Sequence, residues 1–252
     1  MSSSLGFLFH FSSPISDAAR SHLLKVYSLL TAGVLAAVTG CYLDMHFFHL
    51  GGLATALLGA LTFGLARSSV AVSYKDNSVG VILFLFAASI QGASLSPLVQ
   101  VAAIYHPQAL PTAFLSTLAV FASFSGAAVM AKRREFFYLG GILGTVASFL
   151  AFISLASIVV RFSIIMDIQL YAGLAMFLGY VLLDTQVMID RFESGQNRSN
   201  FVRPACDLFA DLIAVFVRIL ILLMRKNEKR RNSFNPSSAS SPERRYYKRQ
   251  QE

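Results

Sequence analysis

Uncharged apolar stretches separated by short polar gaps recur along the chain, and their lengths decide the architecture. A helix rising about 1.5 Å per residue needs roughly 20 apolar residues to cross about 30 Å of hydrocarbon. Val26 to Leu43 carries no charge, and Met45 to Ala66 carries only His46 and His49, both near its start. Ser78 to Tyr105, Ala109 to Ala131 and Phe136 to Val160 are uncharged too, with His106-Pro107 and Lys132-Arg133-Arg134-Glu135 in the gaps. Ile168 to Leu183 lies between Asp167 and Asp184 and reaches spanning length only when it is extended to Asp190 with Asp184 inside it. The last stretch, Ala205 to Met224, is interrupted by Asp207, Asp211 and Arg218. The pattern predicts an all-α integral membrane protein, a seven-transmembrane helix bundle with spans over residues 26–43, 45–66, 78–105, 109–131, 136–160, 168–190 and 205–224.

Composition agrees with a lipid solvent. Of 252 residues, 55% are hydrophobic and only 13% charged, with mean hydropathy +0.60, which is too little polar material to cover a soluble globule. A soluble enzyme or a nucleic-acid-binding domain is excluded on this ground. The net charge of +8 does not revive the second, because nine of the 21 Lys and Arg lie beyond Met224 and most others sit in the gaps between apolar runs. Residues 225–252, rich in Ser, Pro, Arg and Lys, are expected to form a disordered basic tail. Cys41 and Cys206 fall in or beside apolar segments and read as packing residues. No cleavable signal is read in the first residues, so the first span is expected to do the targeting. Small residues at helical spacing, Gly33, Ala36 and Gly40 in span one and Gly140 with Gly144 in span five, are expected to let helices approach closely.

Charge also orients the bundle. With seven spans, ten basic residues (Arg20, Lys25, Arg67, Lys75, Lys132, Arg133, Arg134, Arg191, Arg198 and Arg203) fall on one side, against only Arg161 before the tail on the other. This puts the N-terminal segment, residues 1–25, in the cytosol. The tail opposes that arrangement, since an odd number of spans sends its basic residues across. Either the last segment crosses within the bundle or it re-enters and returns. The sequon Asn197-Arg198-Ser199 is expected to stay unmodified on the cytosolic side.

Of the 13 acidic residues, ten fall in loops, at span ends or in the tail, leaving Asp184, Asp207 and Asp211 inside apolar segments. A carboxylate in hydrocarbon is costly, so such residues usually face the bundle interior and mark a functional path. Asp184 lies six residues before the cytosolic end of span six and Asp211 six residues past the start of span seven, each about 9 Å deep. On consecutive antiparallel helices the two carboxyls can therefore meet. Asp207 shares the helical face of Asp211 one turn nearer the cytosol, and Arg218 continues that face. Two carboxylates a few ångströms apart share a proton and titrate as a pair, or hold a cation between them. Ca²⁺, a hard ion that takes six to eight oxygens, would find a weak transit site at Asp184 and Asp211. The alternative is an interior carboxyl that only bonds a neighbouring helix. Arg67, which closes span two, reads first as a cytosolic anchor and second as a partner for an interior acid. His46, His49 and His106 form no metal motif, and Lys132-Arg133-Arg134 reads first as a topology signal and second as a lipid-headgroup contact.

Several motifs in order resemble the Bax inhibitor family: Gly92-Ala93-Ser94-Leu95-Ser96-Pro97, Pro107-Gln108-Ala109-Leu110-Pro111, Leu139-Gly140-Gly141-Ile142-Leu143, Leu183-Asp184-Thr185-Gln186 and Cys206-Asp207-Leu208-Phe209-Ala210-Asp211, across about residues 20 to 230. The branch of the founding Bax inhibitor fits best. The resemblance implies six helices around a central seventh, endoplasmic-reticulum residence, a pH-sensitive Ca²⁺ leak and suppression of stress-induced cell death. It places the family's paired aspartates on Asp184 and Asp211, while its latching arginine has only Arg67 as a candidate. The tail after Lys229 is longer than the family's lysine-rich end. Three functions follow as expectations: a non-enzymatic Ca²⁺ leak channel or Ca²⁺/H⁺ exchanger with no resident cofactor; a non-conducting scaffold for Bcl-2-type and ER stress-sensor membrane proteins; and, last, an intramembrane aspartyl protease. The third is opposed by the absence of Tyr-Asp and Gly-x-Gly-Asp around the two aspartates.

Overall fold

The structure is a computed structural model that describes residues 17–48, 57–64, 77–130, 137–159, 163–195 and 200–234. These are all helical or in short turns. The helices are α1 (Asp17–Leu43), continued by a π turn (Asp44–Phe48), α2 (57–64), α3 (Asn77–Ser94), α4 (Ser96–Tyr105), α5 (Ala109–Met130), α6 (Phe137–Val159), α7 (Ser163–Glu193) and α8 (Val202–Phe234). Among the described residues, four segments are long and apolar enough to cross a bilayer: Ala18–Phe47, Ala109–Met130, Tyr138–Ala156 and Met166–Glu193. The α3–α4 pair, bent by 46°, makes a fifth when counted as one span. The chain is a multi-pass membrane protein. Residues 49–56 and 65–66 of span two, including His49, lie outside the described residues, as do Arg67, the Lys132–Arg134 cluster, the sequon and residues 235–252.

The bend between α3 and α4 has a local cause. Pro97 sits in the first turn of α4, where its ring disfavours continuation of the preceding helix. The chain turns at Leu95, whose N–H reaches the Gly92 carbonyl at 3.0 Å. α1 lies along α3 at very short range, and glycine makes that possible. A Cβ at Gly40 would fall 1.9 Å from the Ser89 carbonyl oxygen, and one at Gly92 would fall 1.9 Å from that of Ala37. The small-residue stripe expected in span one is thus a helix–helix contact. The stripe expected in span five brings no such close approach: a Cβ at Gly140 would lie at an ordinary 3.5 Å from Leu183, and nothing lies within 4 Å of one at Gly144. α6 there leans on α7 through Leu143, Leu150 and Met176, and glycine spacing alone does not say which face meets a neighbour.

α8 packs against α1, α3, α5 and α7. Its fully buried Phe209 meets Phe84 of α3 edge-on, ring centroids 5.5 Å apart, and the ring of Phe63 of α2 at 6.1 Å. The start of α8 is capped by Asn200, whose Oδ1 accepts from the Val202 and Arg203 N–H groups at 3.2 and 3.3 Å. From there the helix is unbroken to Phe234, so residues 225–234, expected to begin the disordered tail, instead continue α8. Its C-terminal part returns to the beginning of α7, where Arg225 pairs with Asp167. At the opposite end, His22 near the start of α1 stacks on Phe192 near the end of α7, centroids 4.7 Å apart. The last segment therefore runs the length of the bundle, from the end that holds the start of α1 to the other, and does not turn back.

Candidate functional site

α7 and α8 are antiparallel neighbours, so residues equally far from their connecting loop stand opposite each other. Asp184 of α7 and Asp211 of α8 are such a pair, and their carboxyl groups are within hydrogen-bonding contact. Asp211 is only 5% exposed, and its Oδ2 is buried with no hydrogen-bond partner. A hydrogen bond between two carboxyls requires a proton on one of them, so the contact has the chemistry of a shared-proton pair. Asp207, one turn earlier on α8, adds a third acid to the electrostatic surroundings of Asp211. Tyr180, one turn before Asp184 on α7, also lies within the field of both paired acids. Sequence reading passed over this phenol, although its spacing of four residues from Asp184 puts it on the same helical face.

The residues after Asp184 hold it in place. The buried Thr185 hydroxyl donates to the Val181 carbonyl within α7 at 2.8 Å. Gln186 Nε2 donates to the Ala128 carbonyl of α5, tying the two helices one residue pair away from the acid. The buried face of α5, which includes Ala113, Thr117, Phe121 and Ser125 at four-residue spacing, closes the bundle beside it. Among the described residues no three His, Cys, Asp or Glu side chains converge as a metal cage. An apolar cavity of about 580 Å³ lies between α1, α4, α5 and α8, lined by Val34, Val99, Phe114 and Phe216 among others, and neither Asp184 nor Asp211 lines it.

Arg218 does not join the aspartates. Its guanidinium lies 4.4 Å from the centroid of the Phe177 ring on α7, and its Nη1 donates to the Ala214 carbonyl at 3.0 Å. Arg67 lies outside the described residues. His46 stacks on Tyr42, with Nδ1 3.1 Å from the Tyr42 carbonyl oxygen, and His106 ends α4. Neither Cys41 nor Cys206 is in a disulfide, and Cys206 is buried while Cys41 is half-buried.

A second buried acid was hidden in the sequence. Asp44, which the apolar pattern puts at the end of span one, is 3% exposed in the π turn, and the buried Ser96 hydroxyl donates to its Oδ2. The signal available was Ser96-Pro97, a polar residue at a helix break inside an otherwise apolar run. Its partner was not legible, because hydropathy gives no account of a π turn folding an end residue inward.

Comparison with known proteins bears on the whole arrangement. The family described as "Inhibitor of apoptosis-promoting Bax1" matches residues 19–228. Bax inhibitor 1 of Arabidopsis thaliana is 36% identical over 216 residues, 84% of each chain. Bax inhibitor 1 of Homo sapiens is 32% identical over 219 residues, 86% of this chain and 90% of its own. That of Drosophila melanogaster is 32% identical over 84% of this chain and 86% of its own. The match runs from α1 into the C-terminal part of α8 and so takes in Asp44, both members of the α7–α8 acid pair and Arg218; the chain belongs to the Bax inhibitor family.

Proposed function

We propose that the protein is a regulator of cell death in the endoplasmic-reticulum membrane, a bundle of seven spans with α8 at its centre and a cytosolic N-terminus. It acts as a pH-sensitive Ca²⁺ leak or Ca²⁺/H⁺ exchanger gated by Asp184 and Asp211. The observation that carries the reading is the carboxyl–carboxyl contact between α7 and α8 inside an apolar bundle. Three protonation states of the pair differ in how firmly they hold the helices. With one proton, a charge-assisted O–H···O⁻ bond ties α7 to α8. Removing that proton sets two like charges against each other, and the repulsion is relieved by parting the helices or admitting a cation. Adding a second proton replaces the strong bond by a neutral one. Protons and Ca²⁺ compete for the same oxygens, and with so few ligands the ion is held weakly enough to leave.

The test is flux from Ca²⁺-loaded vesicles containing the full chain, measured across pH. Flux is expected to pass through a minimum where the pair holds one proton and to rise on either side. Asp184→Asn combined with Asp211→Asn removes the titration and should flatten the profile. Absence of flux, or a profile unchanged by the double substitution, overturns the reading.

A second reading draws on the family's description, which names an apoptosis-promoting protein. Here the chain is a scaffold for Bcl-2-type and stress-sensor membrane proteins, using its lipid-facing helices or its basic tail. Deletion of residues 235–252 separates the two: loss of cell protection with flux intact assigns the biology to partner binding.

A further inference from the structure

The α7–α8 seam carries charge at regular intervals. On α8, Asp211, Arg218 and Arg225 follow one another at seven-residue steps, which places them on one stripe about 10 Å apart. Each meets α7 at a matching level. Asp211 meets Asp184, Arg218 meets Phe177 and Gly173, and Arg225 meets Asp167. The two outer levels each contain a carboxylate; at the middle one the guanidinium faces an aromatic ring and a glycine.

The middle level is built to hold a cation, not to neutralise it. The half-buried guanidinium stacks on Phe177 at 4.4 Å and is braced by the Ala214 carbonyl at 3.0 Å. Its place on α7 exists because residue 173 has no side chain. A Cβ there would fall 2.6 Å from Nε, 3.1 Å from Nη2 and 3.2 Å from Cζ. Ring and carbonyl are electron-rich, so they favour the charged form without cancelling its charge. Arginine stays protonated under any physiological condition. A full positive charge is thus fixed between two helices, one level away from the acid pair and on the side of the Asp167–Arg225 pair.

We propose that Arg218 is the electrostatic barrier of this seam, a fixed guanidinium that a metal cation must pass to reach Asp184 and Asp211 from the end of the bundle holding Asp167 and Arg225. The inference rests on the reading of that acid pair as a cation gate. A positive residue lining a path through protein raises the energy of every cation on it, and the penalty grows in proportion to the ion's charge. Arg218 sets the low resting rate and weighs more heavily on Ca²⁺ than on a monovalent ion. Phe177 and Gly173 are positioning residues: one supplies the face on which the guanidinium lies, the other the room for it.

The experiment measures Ca²⁺ and K⁺ flux in parallel from vesicles containing the full chain, at one pH, for the unsubstituted protein and for Arg218→Gln, Arg218→Lys and Gly173→Ala. Arg218→Gln is expected to raise Ca²⁺ flux about tenfold and K⁺ flux only about threefold, because the barrier energy doubles with the ion's charge. Arg218→Lys keeps the charge and should stay near the unsubstituted rate. Gly173→Ala pushes the guanidinium off its seat without removing it and should fall between. The proposal is overturned if Arg218→Gln leaves both fluxes unchanged, if it raises the two equally, or if the lysine variant rises as far as the glutamine one. The last two results would mean looser packing and not lost charge. Flux that responds to the aspartate substitutions but not to Arg218→Gln overturns the barrier alone, whereas a chain that conducts in neither the unsubstituted nor the Arg218→Gln form removes barrier and gate together.

Discussion

α6 and α8 invert the rule that governs soluble proteins. α6 (Phe137–Val159) carries no charged residue, yet its large side chains stand outward: Tyr138 is 85% exposed and Phe152 68%, with Ile142, Phe149 and Leu155 beside them. α8 carries Asp207, Asp211, Arg218 and a basic C-terminal run, yet Phe209, Leu208, Val215 and Leu220 on it are buried and four other helices pack against it. Lipid accounts for the difference. Hydrocarbon is as good a solvent for leucine as a protein interior, so an apolar helix gains little by being enclosed. Ionisable groups gain a great deal, because the bundle interior offers hydrogen-bond partners that lipid lacks. Position in the bundle therefore follows polarity, and the helix least suited to lipid sits where it can be shielded.

The sharpest way to test that contrast is to remove an aromatic ring from each helix. Phe209→Ala leaves a void where Phe84 and Phe63 now meet the ring, and should cost about 3–5 kcal/mol of stability, as large core truncations do. Phe152→Ala on α6 exchanges contact with lipid for contact with lipid and should stay within about 0.5 kcal/mol, as substitutions outside the packed interior do. Unfolding in detergent, followed by circular dichroism, reads both. Equal losses would mean that α6 is packed as tightly as α8 and that the contrast is one of composition only.

Glycine gives a smaller version of the same comparison. Gly92→Ala drives a methyl into the Ala37 carbonyl and should separate α1 from α3 at a cost of about 3 kcal/mol, the upper part of the usual range for overpacking. Gly144→Ala on α6 meets nothing within 4 Å and should be neutral or stabilising by up to about 1 kcal/mol through helix propensity. Unfolding midpoints of the two variants, measured side by side, check the difference in sign.

These residues also show where a sequence is legible and where it is not. Helices over residues 109–130 and 137–159 follow from apolar length alone, since nothing but a helix satisfies the backbone of such a run in lipid. The proximity of Asp184 and Asp211 follows from rise per residue and from the alternation of antiparallel helices, both of which are counted along one dimension. What escapes counting is the rotation of each helix about its own axis. Gly40 and Gly144 sit in equally plausible small-residue stripes, and only packing decides that one faces a neighbour and the other does not. The same holds for Arg218, whose partner is the ring of Phe177, and for Asp44, which turns inward to Ser96. α8 itself is the extreme case. Its charges lower its apolarity below that of a lipid-facing span, so composition understates a helix that is solvated by its neighbours.

The weakest contrast lies within α8 itself, between a charge in the bundle and a charge at its end. Arg225 and Asp167 form an ion pair, but their side chains are 34% and 53% exposed, so water screens the attraction and both ions keep much of their hydration when parted. Arg225→Ala should therefore cost less than about 1 kcal/mol and lose most of its effect at high salt, where surface pairs are screened. Exchanging the two charges, Asp167→Arg with Arg225→Asp, should restore the stability lost by either single change if the pair holds α8 against the start of α7. The measurement is a double-mutant cycle of unfolding free energies at low and high ionic strength. A coupling that is large and indifferent to salt would mean that this end of the seam is shielded from water like its middle, and the division of α8 into an interior stripe and a solvated end would fail.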